Sequence, residues 1–412
     1  MSISELPKRA VNKMYRIISA SILDIKARKN LKNIKNKKTK KDRINVLFIV
    51  QMPELWDKQK RVFELMKDNE RFEPRLLIVP KYDFINSRIG SYGEERDFFS
   101  SFDEHAVCVS DINDYEVFLR NYDYVFYQRQ YNHYLPKFLW NDTVIKYTKT
   151  CYIPYATPDL KKTGLYEKEF YRNIYLGFLE SEYAKKILIN KFDKNVGNGI
   201  QKFVFKGYPA FEEMLTQNSE YLAYRVLWTP RWSYDSIVGG SHFFEYYKHI
   251  NQYAKENSNL SVCIRPHPMM FENFIKENRM NKNDVDAYIK DVQSSGVSID
   301  DNKNISDTFQ NTDILISDRS SIIPMFFLTG KPIVYCPFDL ECSYLFETIM
   351  PGLYIANKWD DLRHILDHLI EGKDELKEIR CEIIQKYFIS NINASQNIVD
   401  TIYSDYYEGA KL

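Results

Sequence analysis

Asn45-Val46-Leu47-Phe48-Ile49-Val50 places five apolar residues in a row behind one polar residue. A strand with one wet face alternates apolar and polar side chains. An unbroken short run needs cover on both faces, as inside a parallel sheet flanked by helices. The pattern recurs outward from this run. A helical segment from Lys58 to Lys67 follows, then the apolar stretches Pro74 to Pro80, Tyr122 to Tyr127 and Cys151 to Ile153. After the turn-rich Lys206-Gly207-Tyr208-Pro209 the series restarts with Val226 to Thr229, Ser261 to Ile264, Ile314 to Ile316 and Ile333 to Tyr335. Helical stretches lie between them, and two helices, Asp360 to Ile370 and Lys373 to Tyr387, are expected toward the end. Strands spaced by helix-length segments spell βαβ units. Two such series predict an α/β chain with two Rossmann-like domains, residues 44–205 and 206–412, facing across a cleft.

Composition agrees. Hydrophobic residues are 44% of 412 and aromatics 15%, enough for a large core and too many for a disordered chain. The six cysteines are scattered without a CxxC pair, which suits reduced core residues and neither a disulfide frame nor a zinc site. No GxGxxG, GxxxxGK[ST] or GxSxG occurs, which removes the main support for dinucleotide-binding, P-loop and α/β-hydrolase readings. No HExxH or flanked DxD appears, so neither metal nor cofactor is expected.

The net charge of +1 hides an asymmetry. Residues 1–43 hold 14 Lys and Arg against 3 Asp and Glu, so the remainder is acidic. Ser2-Ile3-Ser4-Glu5 has capping-box spacing, and Val11, Met14, Tyr15, Ile18, Ile22 and Ile25 then form one helical stripe. A basic run from Lys26 to Lys41 follows. No apolar stretch is long enough to span a bilayer. A basic amphipathic helix is expected to lie on an anionic membrane surface as a separable tail. Nucleic acid is not expected, because no aromatic residues interleave with the charges.

Ligands of parallel sheets bind beyond the carboxyl ends of strands, so polar residues there are the candidates. Ile264-Arg265-Pro266-His267-Pro268 presents a cation and an imidazole on a segment stiffened by prolines, a pairing that suits phosphate. Ser317-Asp318-Arg319-Ser320-Ser321 reads strand, loop, helix start, where free N–H groups attract an anion. Thr229-Pro230-Arg231-Trp232 adds Arg231. In the first domain Tyr155 and Thr157 follow one strand, Gln128 and Arg129 another, and Gln51 to Trp56 the first. The bland alternatives are N-caps, surface ion pairs and packed loops.

Taken together, Thr229-Pro230-Arg231-Trp232, Arg265-Pro266-His267-Pro268 and Ser317-Asp318-Arg319-Ser320-Ser321 ahead of Thr329-Gly330-Lys331-Pro332 resemble the CDP-glycerol glycerophosphotransferase family of teichoic-acid primases and polymerases. Pro53-Glu54-Leu55-Trp56 and Gly207-Tyr208-Pro209 extend the likeness. The resemblance implies a GT-B fold and peripheral attachment to the inner face of the cell membrane. It implies metal-independent transfer of a polyol phosphate from a CDP-linked donor to a hydroxyl of a lipid-linked acceptor. His267 and Arg265 become the expected catalytic pair. Arg231, Ser317, Asp318, Ser320 and Ser321 become donor contacts, and Tyr155, Thr157, Gln128 and Arg129 the acceptor side. Two departures stand out. The family's His-Gly-Thr-Pro reads Tyr155-Ala156-Thr157-Pro158 here, and Met325 replaces an acidic residue. Alternative readings are a nucleotide-sugar glycosyltransferase of the same fold and a catalytically idle binding subunit. The sequence names neither the polyol nor the oligomeric state.

Overall fold

The apolar run becomes the central strand of its sheet. The computed structural model describes residues 6–36 (backbone only for 6–17), 42–83, 86–158, 164–216, 222–234, 240–302, 305–338 and 341–407. Contacts divide the chain into two compact units. Residues 1–155, 164–208 and 394–412 form the first, and 156–163 with 209–393 the second.

In the first unit the strands are β1 (Ile44–Val50), β2 (Phe72–Ile78), the hairpin β3 (Tyr82–Asp83) and β4 (Arg88–Ile89), β5 (Val107–Cys108), β6 (Tyr124–Tyr127), β7 (Lys149–Tyr152), β8 (Leu176–Phe178) and β9 (Lys202–Val204). Seven of them form a parallel sheet in the order β5-β2-β1-β6-β7-β8-β9. Leu47 and Ile49 face one core cluster. Phe48 faces the other side, stacked on Phe126 at 4.8 Å and edge-on to Trp56. Both faces of β1 are therefore dry, as the unbroken run demands.

The second unit repeats the plan with β10 (Arg225–Thr229), β11 (Ser261–Ile264), β12 (Ser298–Ile299), β13 (Ile314–Asp318), β14 (Ile333–Cys336) and β15 (Tyr354–Ile355). They form a parallel sheet ordered β12-β11-β10-β13-β14-β15. In each unit the chain first builds to one side of its opening strand and then crosses to the other. The reversal falls between β1 and β6, and between β10 and β13. Beyond the carboxyl ends of such a pair the connections diverge and leave a crevice.

The expected tail and end differ from the sequence reading. One helix spans Leu6–Lys35, and Ala27, Leu31 and Ile34 on its second half are buried. Asp24 is ion-paired with Lys168 and Arg172 of the first unit. Its second half is therefore docked, and residues 1–43 count with that unit instead of standing apart. The capping box at residues 2–5 lies outside the described residues. The chain closes with a third helix, Ala394–Tyr407, which belongs to the first unit, although residues 206–412 were expected to form one domain. The change of unit occurs at Gly207-Tyr208-Pro209. Gly207 has φ of +93°, which a side chain would strain. Tyr208 is buried and donates from its hydroxyl to the Pro154 carbonyl at 2.9 Å, and Pro209 opens a helix.

Candidate active site

Three loops leave the carboxyl edge of β11, β10 and β13, adjacent strands of the second unit. Register places Thr229 opposite Ser317 and Trp228 opposite Ile264, so residues 230–232, 265–267 and 319–321 emerge side by side. Asp318 ties two segments together at this edge. Its carboxylate accepts from the Arg231 backbone N–H at 2.8 Å and the His242 N–H at 3.2 Å, and lies 2.6 Å from His242 Nδ1. It is 2% exposed. Asp318 is thus a positioning residue, where the sequence suggested a donor contact. Ser317 is also inside: it is fully buried, and its hydroxyl is bonded to Thr229 Oγ1 at 2.7 Å and the Asp318 carbonyl at 2.6 Å. A hydroxyl so engaged is not presented to a ligand.

Arg231 lies along the next loop, with Nη1 donating to the Arg319 carbonyl at 2.5 Å. Ser320 and Ser321 are half-exposed before the short helix Ile322–Phe327. Ser320 Oγ accepts only a long bond from Ile322 N–H at 3.4 Å, and Ser321 makes no capping bond with its side chain. These hydroxyls remain near the crevice mouth. Met325 is buried on that helix, so the position that would bring an acid adds packing instead.

His267 lies on Trp232, with ring centroids 5.5 Å apart. The residue as a whole is solvent-exposed. Partial loss of water around the ring, then the charges of Arg231 and Arg265, lower its pKa to about 4. Nδ1 accepts from the Met269 N–H at 3.2 Å, which puts the proton of the neutral ring on Nε2. Arg265 does not offer its fork to a pyrophosphate as expected. Nη1 pairs with Asp300, and Nη2 donates to the Asn302 carbonyl at 3.0 Å. Its contribution here is charge near His267.

His242 was not singled out by sequence. It is 5% exposed, packed on Phe338 at 4.2 Å and Tyr246 at 4.9 Å. No motif brackets it; only its bond to Asp318 reveals a role. Lys331 of the Thr-Gly-Lys-Pro stretch is structural. Its ammonium donates to the carbonyls of Phe309, Gln310 and Thr312 and so caps the helix Ile305–Gln310, after Gly330 turns the chain at φ of +73°.

The four acceptor-side candidates separate. Gln128 is buried, and its amide clamps the end of β1: Oε1 accepts from Gln51 N–H at 2.9 Å and Met52 N–H at 2.8 Å, while Nε2 donates to the Met52 carbonyl at 2.7 Å. Arg129 and Tyr155 remain beside the β1/β6 crevice, with the Tyr155 and Tyr131 hydroxyls 2.9 Å apart. Burial, then the neighbouring Tyr131 phenol, hold the Tyr155 pKa far above that of an ordinary tyrosine, so it is no base near neutrality. Thr157 counts with the second unit, where its hydroxyl donates to the Ser321 carbonyl at 3.4 Å and braces the serine loop.

Residues 208–404 match the family described as CDP-Glycerol:Poly(glycerophosphate) glycerophosphotransferase, bearing out the resemblance carried by the motifs. The teichoic acid ribitol-phosphate polymerase TarK of Staphylococcus aureus is 31% identical over 121 residues, 27% of this chain. The match spans 21% of that polymerase's length. Among solved structures, the wall teichoic acid polymerase TagF with CDPG aligns over 99% of both chains at a TM-score of 0.55 and 15% identity. A UDP-N-acetylglucosamine 2-epimerase aligns over 90% of this chain and 98% of its own at 0.61 and 13%. At these identities the structures establish the fold, which is GT-B.

Proposed function

We infer, from a second unit that matches the CDP-glycerol glycerophosphotransferase family, that this chain is a polyol-phosphate transferase. The donor is a CDP-activated polyol, glycerol phosphate being the leading case. The acceptor is a hydroxyl of a lipid-linked or polymer chain in teichoic-acid or capsule-type surface polymer synthesis. The acceptor oxygen attacks the phosphorus that carries the polyol. A new P–O bond forms, the bond to the CMP oxygen breaks, CMP leaves, and the acceptor's proton is released. One observation supports the reading: the loops that carry Arg231 and Ser320–Ser321 leave the two strands at the reversal point of the matched unit's sheet, and the loop of His267 leaves the strand next to them.

Each residue then has a task. Arg231 and the serine hydroxyls hold pyrophosphate oxygens, and Asp318 fixes the Arg231 loop from behind. His267 donates Nε2–H to phosphate oxygen as negative charge grows on the leaving CMP. An anion beside the ring raises its pKa from about 4, so a larger fraction of the ring carries the second proton once the donor is bound. Positioning and charge supply most of the rate in such chemistry. The test is CMP release by the full chain from a panel of CDP-polyols, with UDP- and GDP-sugars alongside. CDP-polyol turnover supports the reading. Sugar turnover supports the glycosyltransferase alternative, and no turnover supports an idle binding subunit.

Attachment to an anionic membrane surface belongs to the same reading. On the helix Leu6–Lys35, Ile18 (49%), Ile22 (47%), Leu23 (47%) and Ile25 (69%) are exposed, next to Lys26 and Lys29. Apolar side chains unclaimed by the globule, with lysines beside them, suit the boundary of an anionic bilayer. Such seating would bring the enzyme to a lipid-linked acceptor on the cytoplasmic face. No helix among the described residues is long and apolar enough to cross a membrane.

A further inference from the structure

The first unit has its own reversal point, and a cation stands there without a counter-charge among the described residues. Arg129 follows β6 at the crevice with β1, beside a small recess lined by Ile49, Gln51, Gln128, Tyr131 and Leu135. Its Nη1 reaches Met52 Sδ at 2.6 Å, a poor acceptor. Nε and Nη2 are buried with no hydrogen-bond partner among the described residues. No carboxylate pairs with it among the described residues. Its neighbours are ring faces instead: the Tyr134 ring lies 4.3 Å and the Tyr131 ring 5.8 Å from the guanidinium carbon. Two other arginines at strand ends differ. Arg265 rests on Asp300 and Arg225 on Asp313.

A buried guanidinium with two idle N–H edges is costly unless something absent supplies the charge. Aromatic faces offset part of that cost and leave the donors unused. Burial also depresses the Arg129 pKa, and burial with Arg129's charge depresses that of His133. Tyr131 and Tyr155 add hydroxyls that can bond to a polyol.

We propose that Arg129 is the anion-binding residue of the first unit, and that it grips a phosphodiester oxyanion of a polyol-phosphate acceptor beside Tyr131 and Tyr134. The acceptor's identity rests on the transfer reading above; the anion site does not. A fork of donors suits two phosphate oxygens at once, which a lysine cannot match.

The test uses the full chain, with calorimetry and thermal melts in bis(glycerol) phosphate, inorganic phosphate and CDP. Arg129→Gln is expected to weaken the phosphodiester at least tenfold and leave CDP affinity within twofold. Arg129→Lys, with charge but no fork, is expected to fall between. Without ligand, Arg129→Gln is expected to melt no lower than the parent, because it deletes an unpaired buried charge. The phosphodiester should raise the parent's melting temperature but not the variant's. Unchanged phosphodiester binding in Arg129→Gln overturns the site, as does a variant that melts well below the parent or does not fold, because the arginine is then structural. Equal affinity for inorganic phosphate overturns the acceptor assignment. If no CDP-polyol is turned over while Arg129-dependent binding stands, the transfer reading falls and the anion site survives.

Discussion

At the scale of single residues, what a polar side chain at a strand end does is decided by what reaches it from elsewhere in the chain. Arg265 and Asp300 are 35 positions apart, and Asp318 and His242 are 76 apart. The sequence shows a cation after a strand; it does not show which carboxylate folds against it. That is why Arg265, Ser317 and Asp318 read as ligand contacts, yet Ser317 and Asp318 prove to be buried and Arg265 to be engaged by Asp300, whereas Arg231, His267 and the serine pair stay nearer the crevice. Predictions about His267 and the serine pair belong here. The His267 ring is expected to titrate well below an ordinary histidine in the free protein and to shift upward with CDP or pyrophosphate, read by NMR of its ring protons. Donor binding is expected to strengthen as pH falls toward the free-protein pKa, because the bound anion favours the protonated ring. A pKa near 6.5 that ignores added donor would remove His267 from the phosphate. Replacing both Ser320 and Ser321 by Ala is expected to weaken CDP binding by about 1–3 kcal/mol, the sum of two hydrogen bonds of ordinary strength. His267→Ala is expected to act chiefly on kcat, because its bond strengthens as charge develops. Calorimetry beside steady-state kinetics separates the two effects.

At the scale of elements, buried strands were easy to read and short edge strands were not. β1, β6, β10 and β13 are four or more residues long, and their apolar runs follow from cover on both faces. β5, β12 and β15 are two residues each, too short to show a period. The Leu6–Lys35 helix was legible as an apolar stripe, but a stripe does not reveal what it faces. One part of the helix, Ala27, Leu31 and Ile34, faces the first unit; Ile18, Ile22 and Ile25 face outward. Deleting residues 1–23 is therefore expected to weaken co-sedimentation with anionic vesicles at unchanged melting temperature. Deleting 1–35 is expected to cost stability too, since each buried Leu or Ile contributes about 1.5–3 kcal/mol. Parent binding should weaken with salt, as exposed charges are screened over about 10 Å at 0.1 M. Equal pelleting of the parent and the 1–23 deletion would sink the membrane assignment.

At the scale of the whole molecule, the chain leaves its first unit near residue 208, builds the second, and returns with the helix Ala394–Tyr407. No local pattern announces that return, because it depends on one carboxylate and partners some 200 to 280 residues earlier. Asp405 is buried and accepts from Lys149 at 2.7 Å, Lys202 at 2.6 Å, Tyr124 at 2.7 Å and Tyr175 at 2.9 Å. Burial alone would raise its pKa, but the charges and hydrogen bonds of the two lysines outweigh burial and bring it to about 2. A carboxylate whose folded pKa lies below its unfolded value stabilises the fold above the unfolded value. That contribution is lost as pH falls through the folded one. The Asp405 contribution is accordingly expected to be complete above about pH 4 and to fade toward pH 2. Asp405→Ala leaves two largely buried ammonium groups without their counter-charge and is expected to cost about 3–5 kcal/mol at pH 7. Urea unfolding of parent and variant, followed by tyrosine fluorescence from pH 7 to 2.5, measures both. The two curves should converge as the pH falls below 4. A constant gap across that range would mean that the last helix is held by packing and not by its charge.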